Sequence, residues 1–252
     1  MSTFRRRVDI ASAQHHTTGE VRAALEDDFH HFRVWARHEH GVLSAIDGEA
    51  LRYPYSACQQ ATDQLQQLLG MPLDTIAHSV TRQVDAQHQC THLLDLAGLA
   101  IASAAKRTTG RRYDIEVPQR VDGHTRATLR RNGRELLVWE VQGSVILAPA
   151  PFSCIDLRAG MARWALHNLP PEEAEAALLL RRCTLISLGR MRNLDAQAHA
   201  ASTGLCYSQQ PARAALASRM IGSTWDIGSQ STLCVGDQLW LSQLNTNYAG
   251  ST

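Results

Sequence analysis

The 252-residue sequence carries 25 Lys plus Arg against 24 Asp plus Glu, and 44% of it is apolar. That balance excludes a wholly disordered chain, which combines few apolar residues with excess charge, and it lacks the basic surplus of a dedicated nucleic-acid binder. No run of 18 apolar residues marks a transmembrane helix.

Met1-Ser2-Thr3-Phe4-Arg5-Arg6-Arg7 leads into Val8-Asp9-Ile10 and not into an apolar core, so no signal peptide is expected. From Arg5 to Tyr53 the pattern favours strands. Val21 to Glu39 reads as one strand and Val42 to Tyr53 as the next, with His40-Gly41 as the turn. On the first of these, alternation puts Asp28, His30, Phe32, Val34, Ala36 and His38 on one face, and His31 on the other. Pro54 ends the strand block. Ser56 and Gln59 have capping-box spacing, which predicts a helix over 57–69 closed by Gly70 and Pro72. A second, strongly apolar helix is expected from Thr91, as N-cap, to about Ala105.

A second strand-rich block follows over 113–117, 125–131, 135–141 and 145–148. Asn132-Gly133 is its hairpin signal, because both residues tolerate positive φ. Arg126, Arg130, Arg131 and Arg134 cluster there and read as a solvated face. Pro170-Pro171-Glu172-Glu173 opens a helix over 174–188, and Pro211 to Ile221 reads as another. With no linker or repeat, the expectation is a single α+β domain over 1–252. Its strand-rich parts are 5–53 and 111–148, and its helical parts are 56–105 and 170–222.

Six cysteines, at 58, 90, 154, 183, 206 and 234, form no C-x-x-C pair. Reduced thiols in the cytoplasm are the simplest reading. Twelve histidines stand out, whereas one Lys among 24 Arg reads as base composition. Lys106, at an exposed helix end, is a poor Schiff-base candidate. G-x-x-x-x-G-K-[ST], G-x-G-x-x-G after a strand, G-x-S-x-G and H-E-x-x-H are all missing, which argues against nucleotide-dependent, hydrolase-elbow and zincin mechanisms.

Several stretches resemble a bacterial family known as domain of unknown function 2889. They are Leu25-Glu26-Asp27-Asp28-Phe29-His30-His31-Phe32, Arg52-Tyr53-Pro54-Tyr55-Ser56-Ala57-Cys58, Leu68-Leu69-Gly70-Met71-Pro72-Leu73 and Cys90-Thr91-His92-Leu93-Leu94-Asp95-Leu96. Further pieces are Leu180-Arg181-Arg182, Ser187-Leu188-Gly189-Arg190, Cys206-Tyr207-Ser208-Gln209-Gln210-Pro211 and Gly222-Ser223-Thr224-Trp225-Asp226. The resemblance implies a Trp and a Pro where this chain has Tyr55 and Gln59, so a pocket lined by Tyr55 would be more polar. It implies no activity.

Three places carry chemistry. Cys90 and His92 stand at a helix start, where a thiol pKa is lowered and Cys90 becomes a nucleophile, or part of a metal site with His92. The plainer reading is a buried Cys beside a capping Thr. Asp28 and His30 share a strand face, so the carboxylate can orient the imidazole as a general base; the alternative is an ordinary polar strand end. His38, roughly 27 Å along that strand, is too far to join them. Tyr207 can donate to a developing oxyanion or simply be a buried Tyr with its hydroxyl satisfied. Arg190 can hold a substrate anion, with Tyr55 and Cys58 as further substrate-binding residues.

The resulting expectation is a soluble, cofactor-independent lyase using acid–base chemistry on a small, partly apolar and even aromatic substrate, of retro-aldol or deformylation type. Its catalytic residues would be Asp28, His30, Cys90, His92 and Tyr207. A metal-dependent variant would use His30, His31, His92 and Cys90. The alternative class is a non-catalytic small-molecule binding module or assembly subunit. The expected partner is a small molecule, with no nucleic acid and no membrane, and homo-oligomerisation stays open.

Overall fold

Alternating apolar and polar residues build eight strands: β1 (Thr3–His15), β2 (Thr18–Asp27), β3 (His31–Glu39), β4 (Val42–Arg52), β5 (Gly110–Pro118), β6 (His124–Arg131), β7 (Arg134–Gln142) and β8 (Val145–Ala148). They hydrogen-bond in the order β4-β3-β2-β1-β5-β6-β7-β8 in an antiparallel sheet. The helices are α1 (Val80–Gln83), α2 (Thr91–Ala105), α3 (Met161–Asn168), α4 (Pro171–Ile186), α5 (Pro211–Ala214) and α6 (Gln238–Ser242), with several 3₁₀ turns. This is the α+β class the sequence suggests. The computed structural model describes residues 2–244, so the ends of the expected domain, residue 1 and residues 245–252, lie outside the described residues. Among the described residues, no helix is long and apolar enough to cross a membrane.

Contacts divide the chain into two compact units. The first comprises Val8–Arg111, Asp195–Trp225 and the stretch from Cys234 onward. The second comprises the stretch up to Arg7, Arg112–Leu194 and Asp226–Leu233.

In the first unit, β2 pairs with β3 and β3 with β4. Phe32, Val34, Ala36 and His38 are buried on one face of β3, as alternation requires, and α2 packs on β2 and β3. Nearly every side chain of α2 from His92 to Ala104 is buried. Its approach to the neighbouring 3₁₀ turn Ala77–Ser79 depends on Gly98, where a Cβ would overlap the Ala77 carbonyl oxygen.

Four local expectations are corrected. The strand read over 21–39 is two strands, broken at Asp28–His30 by a turn described below. The helix after Pro54 is 3₁₀ over Ser56–Leu68, and its capping box does not form. Ser56 Oγ instead accepts from the Ser218 N–H at 3.1 Å, and Gln59 Oε1 accepts from the Tyr53 hydroxyl. Cys90, not Thr91, occupies the N-cap of α2. The helix begun at Pro211 stops at Ala214, because Ser218 and Arg219 form β-bridges with His199 and Tyr55.

In the second unit, β5–β8 form a meander whose Asn132-Gly133 hairpin has φ of 51° and 78°, the positive pair the two residues were expected to supply. Trp139, fully buried, packs on Phe152, which meets Trp164 of α3 edge-on at 5.6 Å. The hairpin arginines are paired: Arg126 with Glu140, Arg130 with Glu116 and Arg131 with Glu172.

Candidate functional site

Three residues link β2 to β3, and Asp27 builds the link. Its Oδ1 accepts the backbone N–H of Phe29 at 2.7 Å and of His30 at 2.8 Å, an Asx turn, while its own N–H donates to the His30 carbonyl at 2.8 Å. The same carboxylate oxygen lies 3.1 Å from Nδ1 of the His30 ring. With Nδ1 protonated and donating to Asp27, Nε2 is left as the basic nitrogen.

Arg52, at the end of β4 opposite His31, closes the turn from its carbonyl side. Its guanidinium donates to the carbonyls of Asp27 at 2.5 Å, Asp28 at 3.1 Å and His30 at 3.4 Å, and to Ser223 at 3.0 Å. It lies 4.1 Å from the centroid of Trp225, whose N–H donates to the Asp28 carbonyl at 2.7 Å. Burial lowers the Arg52 pKa, although Asp27 and Glu26 pull it back toward the charged form.

From the other side, α2 delivers His92. Its ring stacks on His30 at 3.9 Å between centroids with a 29° tilt, and the two rings are only 9% and 7% exposed as residues. Phe29 and Phe32 stand 6.2 and 5.5 Å from the His30 ring. The donor atoms of Asp27, His30 and His92 all lie within 4.8 Å of one another. Two of the sequence-predicted residues, His30 and His92, thus meet across 62 positions of chain. The carboxylate beside His30 is Asp27, not Asp28: on a strand i and i+2 share a face, but in an Asx turn the residues that meet are i and i+3. Asp28 is buried, and its carbonyl is held by Arg52 and Trp225.

Residues 4–106 match the model of a family described as a protein of unknown function, DUF2889. Over that stretch the chain is similar to this family. Asp27, His30, Arg52 and His92 all fall inside the matched stretch, whereas the resembling pieces around Arg190 and Tyr207 lie beyond it. The comparison with curated proteins returns no match.

The remaining candidates sort elsewhere. Cys58, Tyr55, Ala200, Ala214 and Ala217 form a buried cluster. Cys58 Sγ lies 3.2 Å from Ser208 Oγ, and burial pushes its thiol up to about 11. Burial also raises the Tyr55 hydroxyl, against the pull of Arg219. Tyr207 donates its backbone N–H to Gln89, and Arg213 lies 4.0 Å from its ring centroid. Cys90 is the clearest correction. At the N-cap of α2 the expected lowering of its thiol pKa is overridden, because complete burial drives it far up, with Cys58 and Cys206 adding to the rise. A thiolate nucleophile at neutral pH is not what that environment makes.

His31 is also placed apart from His30. Its Nε2 lies 2.9 Å from Asp237, which Arg33 also engages at 2.6 Å, and its Nδ1 lies 3.7 Å from Glu26. Glu26, Cys234 and Asp237 bring donor atoms within 4.8 Å of one another. Their acceptors serve His31, Arg33, Arg52 and the Cys234 N–H, an ion-pair network that fastens the C-terminal segment to β2 and β3. Arg190 belongs to the second unit, where it donates to Asp226 at 2.7 Å and to Ser2, and it is not among the residues around His30.

Asp27, Arg52 and Trp225 escaped the sequence reading as site residues. All three stood in the family-like pieces, and an Asp three positions before a His is Asx-turn spacing, which is the signal that could have found Asp27.

Proposed function

We propose that the chain is a soluble acid–base enzyme of lyase type, acting on a small, partly apolar organic substrate without an organic cofactor, with His30 as the general base. The observation that supports this reading is the Asp27–His30–His92 arrangement: a carboxylate 3.1 Å from one nitrogen of an imidazole that is stacked at 3.9 Å on a second imidazole. Asp27 holds the tautomer and stabilises the imidazolium that forms on proton uptake. His92, against the face of the same ring, is positioned to hydrogen-bond the group that becomes anionic. Phe29 and Phe32 pack beside the His30 ring and keep its surroundings apolar, which favours a partly apolar substrate.

In a retro-aldol cleavage, His30 would take the proton of a β-hydroxyl. The carbon–carbon bond would break with release of an aldehyde, and the electron pair would pass to the carbanion, which the imidazolium then reprotonates. Cys90 has no part in this scheme.

A second reading, a metal-dependent enzyme, is favoured by the three donor atoms within 4.8 Å. It is weakened by the Asp27 Oδ1, which already accepts two backbone N–H groups and faces the His30 ring. Aldehyde release from a panel of aryl β-hydroxy carbonyl compounds, followed with wild type, His30→Ala and His92→Ala, tests the proposal. Loss of turnover on His30→Ala of about 10²-fold or more is expected. Full turnover in both variants overturns the assignment, and saturable ligand binding with no turnover favours a binding module. Elemental analysis decides the second reading: less than about one-tenth equivalent of metal in an active preparation removes it.

A further inference from the structure

The strand and helix that carry His31 and His92 at one end share a second feature at the other. His38 lies seven residues beyond His31 on β3, roughly 23 Å away, and α2 runs thirteen residues from His92 to Ala105, roughly 20 Å. Between these far ends, within the first unit, a solvent-open cavity of about 480 Å³ is lined by His38, His40, Leu73, Ala104, Ala105 and Arg107. Its volume falls within the range of small-ligand pockets.

The lining is one-sided in charge. Arg107 is a permanent cation there and His40 a titratable one, and none of the residues that line the cavity is a carboxylate. Glu39, outside it, is 3.8 Å from the His40 ring. An independent observation is His38 itself. It is only 4% exposed, and its Nδ1 has no hydrogen-bond partner among the described residues. Buried polar nitrogens are nearly always paired in folded proteins, so an unpaired imidazole nitrogen in a residue that lines the cavity points to a ligand there. The ring is seated on Gly19, directly across the β2–β3 pair, where a Cβ would overlap His38 Nε2. Leu73, Ala104 and Ala105 give the cavity its apolar lining.

We propose that this cavity is a binding site for a small hydroxylated organic acid, with the carboxylate against Arg107 and His40, the apolar body over Leu73, Ala104 and Ala105, and the second polar group on His38. The site is separate from the His30–His92 pair and does not depend on the function proposed for it.

Isothermal titration of the full chain with 4-hydroxybenzoate, benzoate and inorganic phosphate at low salt tests this. Saturable 1:1 binding of 4-hydroxybenzoate is expected, with benzoate several-fold weaker. Arg107→Gln is expected to weaken binding about tenfold or more. Ala105→Phe, which fills the cavity, should abolish it, and His30→Ala should leave it unchanged. The proposal is overturned by no saturation up to roughly 10 mM, by equal affinity in Arg107→Gln, or by phosphate binding as tightly as the aryl acid. Loss of binding in His30→Ala also overturns it, because the acid would then occupy the other site.

Discussion

Asp27 makes the sharpest test of how the candidate site is held, because one of its oxygens serves three donors. In Asp27→Ala the N–H groups of Phe29 and His30, in residues only 4% and 7% exposed, lose their acceptor. An unsatisfied buried donor costs about 1–3 kcal/mol. Two of them cost about 2–6 kcal/mol, less the relief of no longer burying a carboxylate, so about 2–4 kcal/mol is the expected net loss. For a chain of this size that corresponds to a fall in Tm of roughly 5–12 °C. Asp27→Asn keeps an amide oxygen for both N–H groups and removes only the charge, so its cost should stay below about 1.5 kcal/mol. The assay is urea unfolding followed by circular dichroism, with thermal melts in parallel. If Asp27→Ala unfolds within about 0.5 kcal/mol of wild type, or if Asn costs as much as Ala, the Asx turn does not organise the site as argued. The two variants also separate structure from chemistry: Asp27→Asn should keep the fold yet lose turnover of any substrate found for His30.

Other outcomes follow from the same geometry. Gly98→Ala should destabilise by about 1–3 kcal/mol in urea unfolding even though Ala is the better helix former by about 1 kcal/mol, because the obstructing atom is the Ala77 backbone oxygen and cannot rotate away. Thiol labelling of the native chain near pH 8 should modify exposed Cys154 first and half-buried Cys206 next. Cys58, whose thiolate forms only near pH 11, and Cys90 should react only on unfolding; fast labelling of Cys90 would refute its burial. Burial would raise the Asp237 carboxyl, but His31 and Arg33 outweigh it and hold the pKa below its ordinary value. A depressed carboxylate stabilises above its unfolded pKa and loses that contribution as pH falls, so the cost of Asp237→Asn should be largest near neutrality and vanish below about pH 3. A cost that grows on acidification would reverse the assignment.

The strands were legible because period-two alternation and strong turn residues, His40-Gly41 and Asn132-Gly133, are local properties of the chain. The inward set Phe32, Val34, Ala36 and His38 follows from the same alternation and is buried. The break at Asp28-Phe29-His30 was not legible by those signals, since none of the three is Gly, Pro or Asn. It is made by the Asp27 side chain and by Arg52 and Trp225, which arrive from 25 and nearly 200 positions away. Cys90 was misread for a related reason. A helix N-terminus lowers a thiol pKa only while the thiolate keeps some solvation, and the burial that removes it comes from tertiary packing.

His30 and His92 meet even though β2 and β3 are not the single strand that the alternation suggests. Had β2 and β3 been one continuous strand, Asp28 and His30 would share a face and His30 would sit mid-strand in a regular ladder. The hairpin instead puts His30 at the end of the β2–β3 pair, where its backbone carbonyl is shared between the Asp27 N–H and Arg52 and its ring meets Asp27 and His92. α2 lies on those two strands with its first turn at that end, so the first inward-facing residue after the cap meets the ring. That residue is His92. Arg52 and Trp225 then restrict the turn from the opposite side, so the imidazole is held by an Asx turn beneath it, a stacked ring beside it and a guanidinium clamp behind it. Arg52→Lys, which keeps the charge but cannot span three carbonyls, should therefore loosen the turn and reduce activity more than it reduces stability. Equal losses in both would make Arg52 a fold residue and not a positioning one.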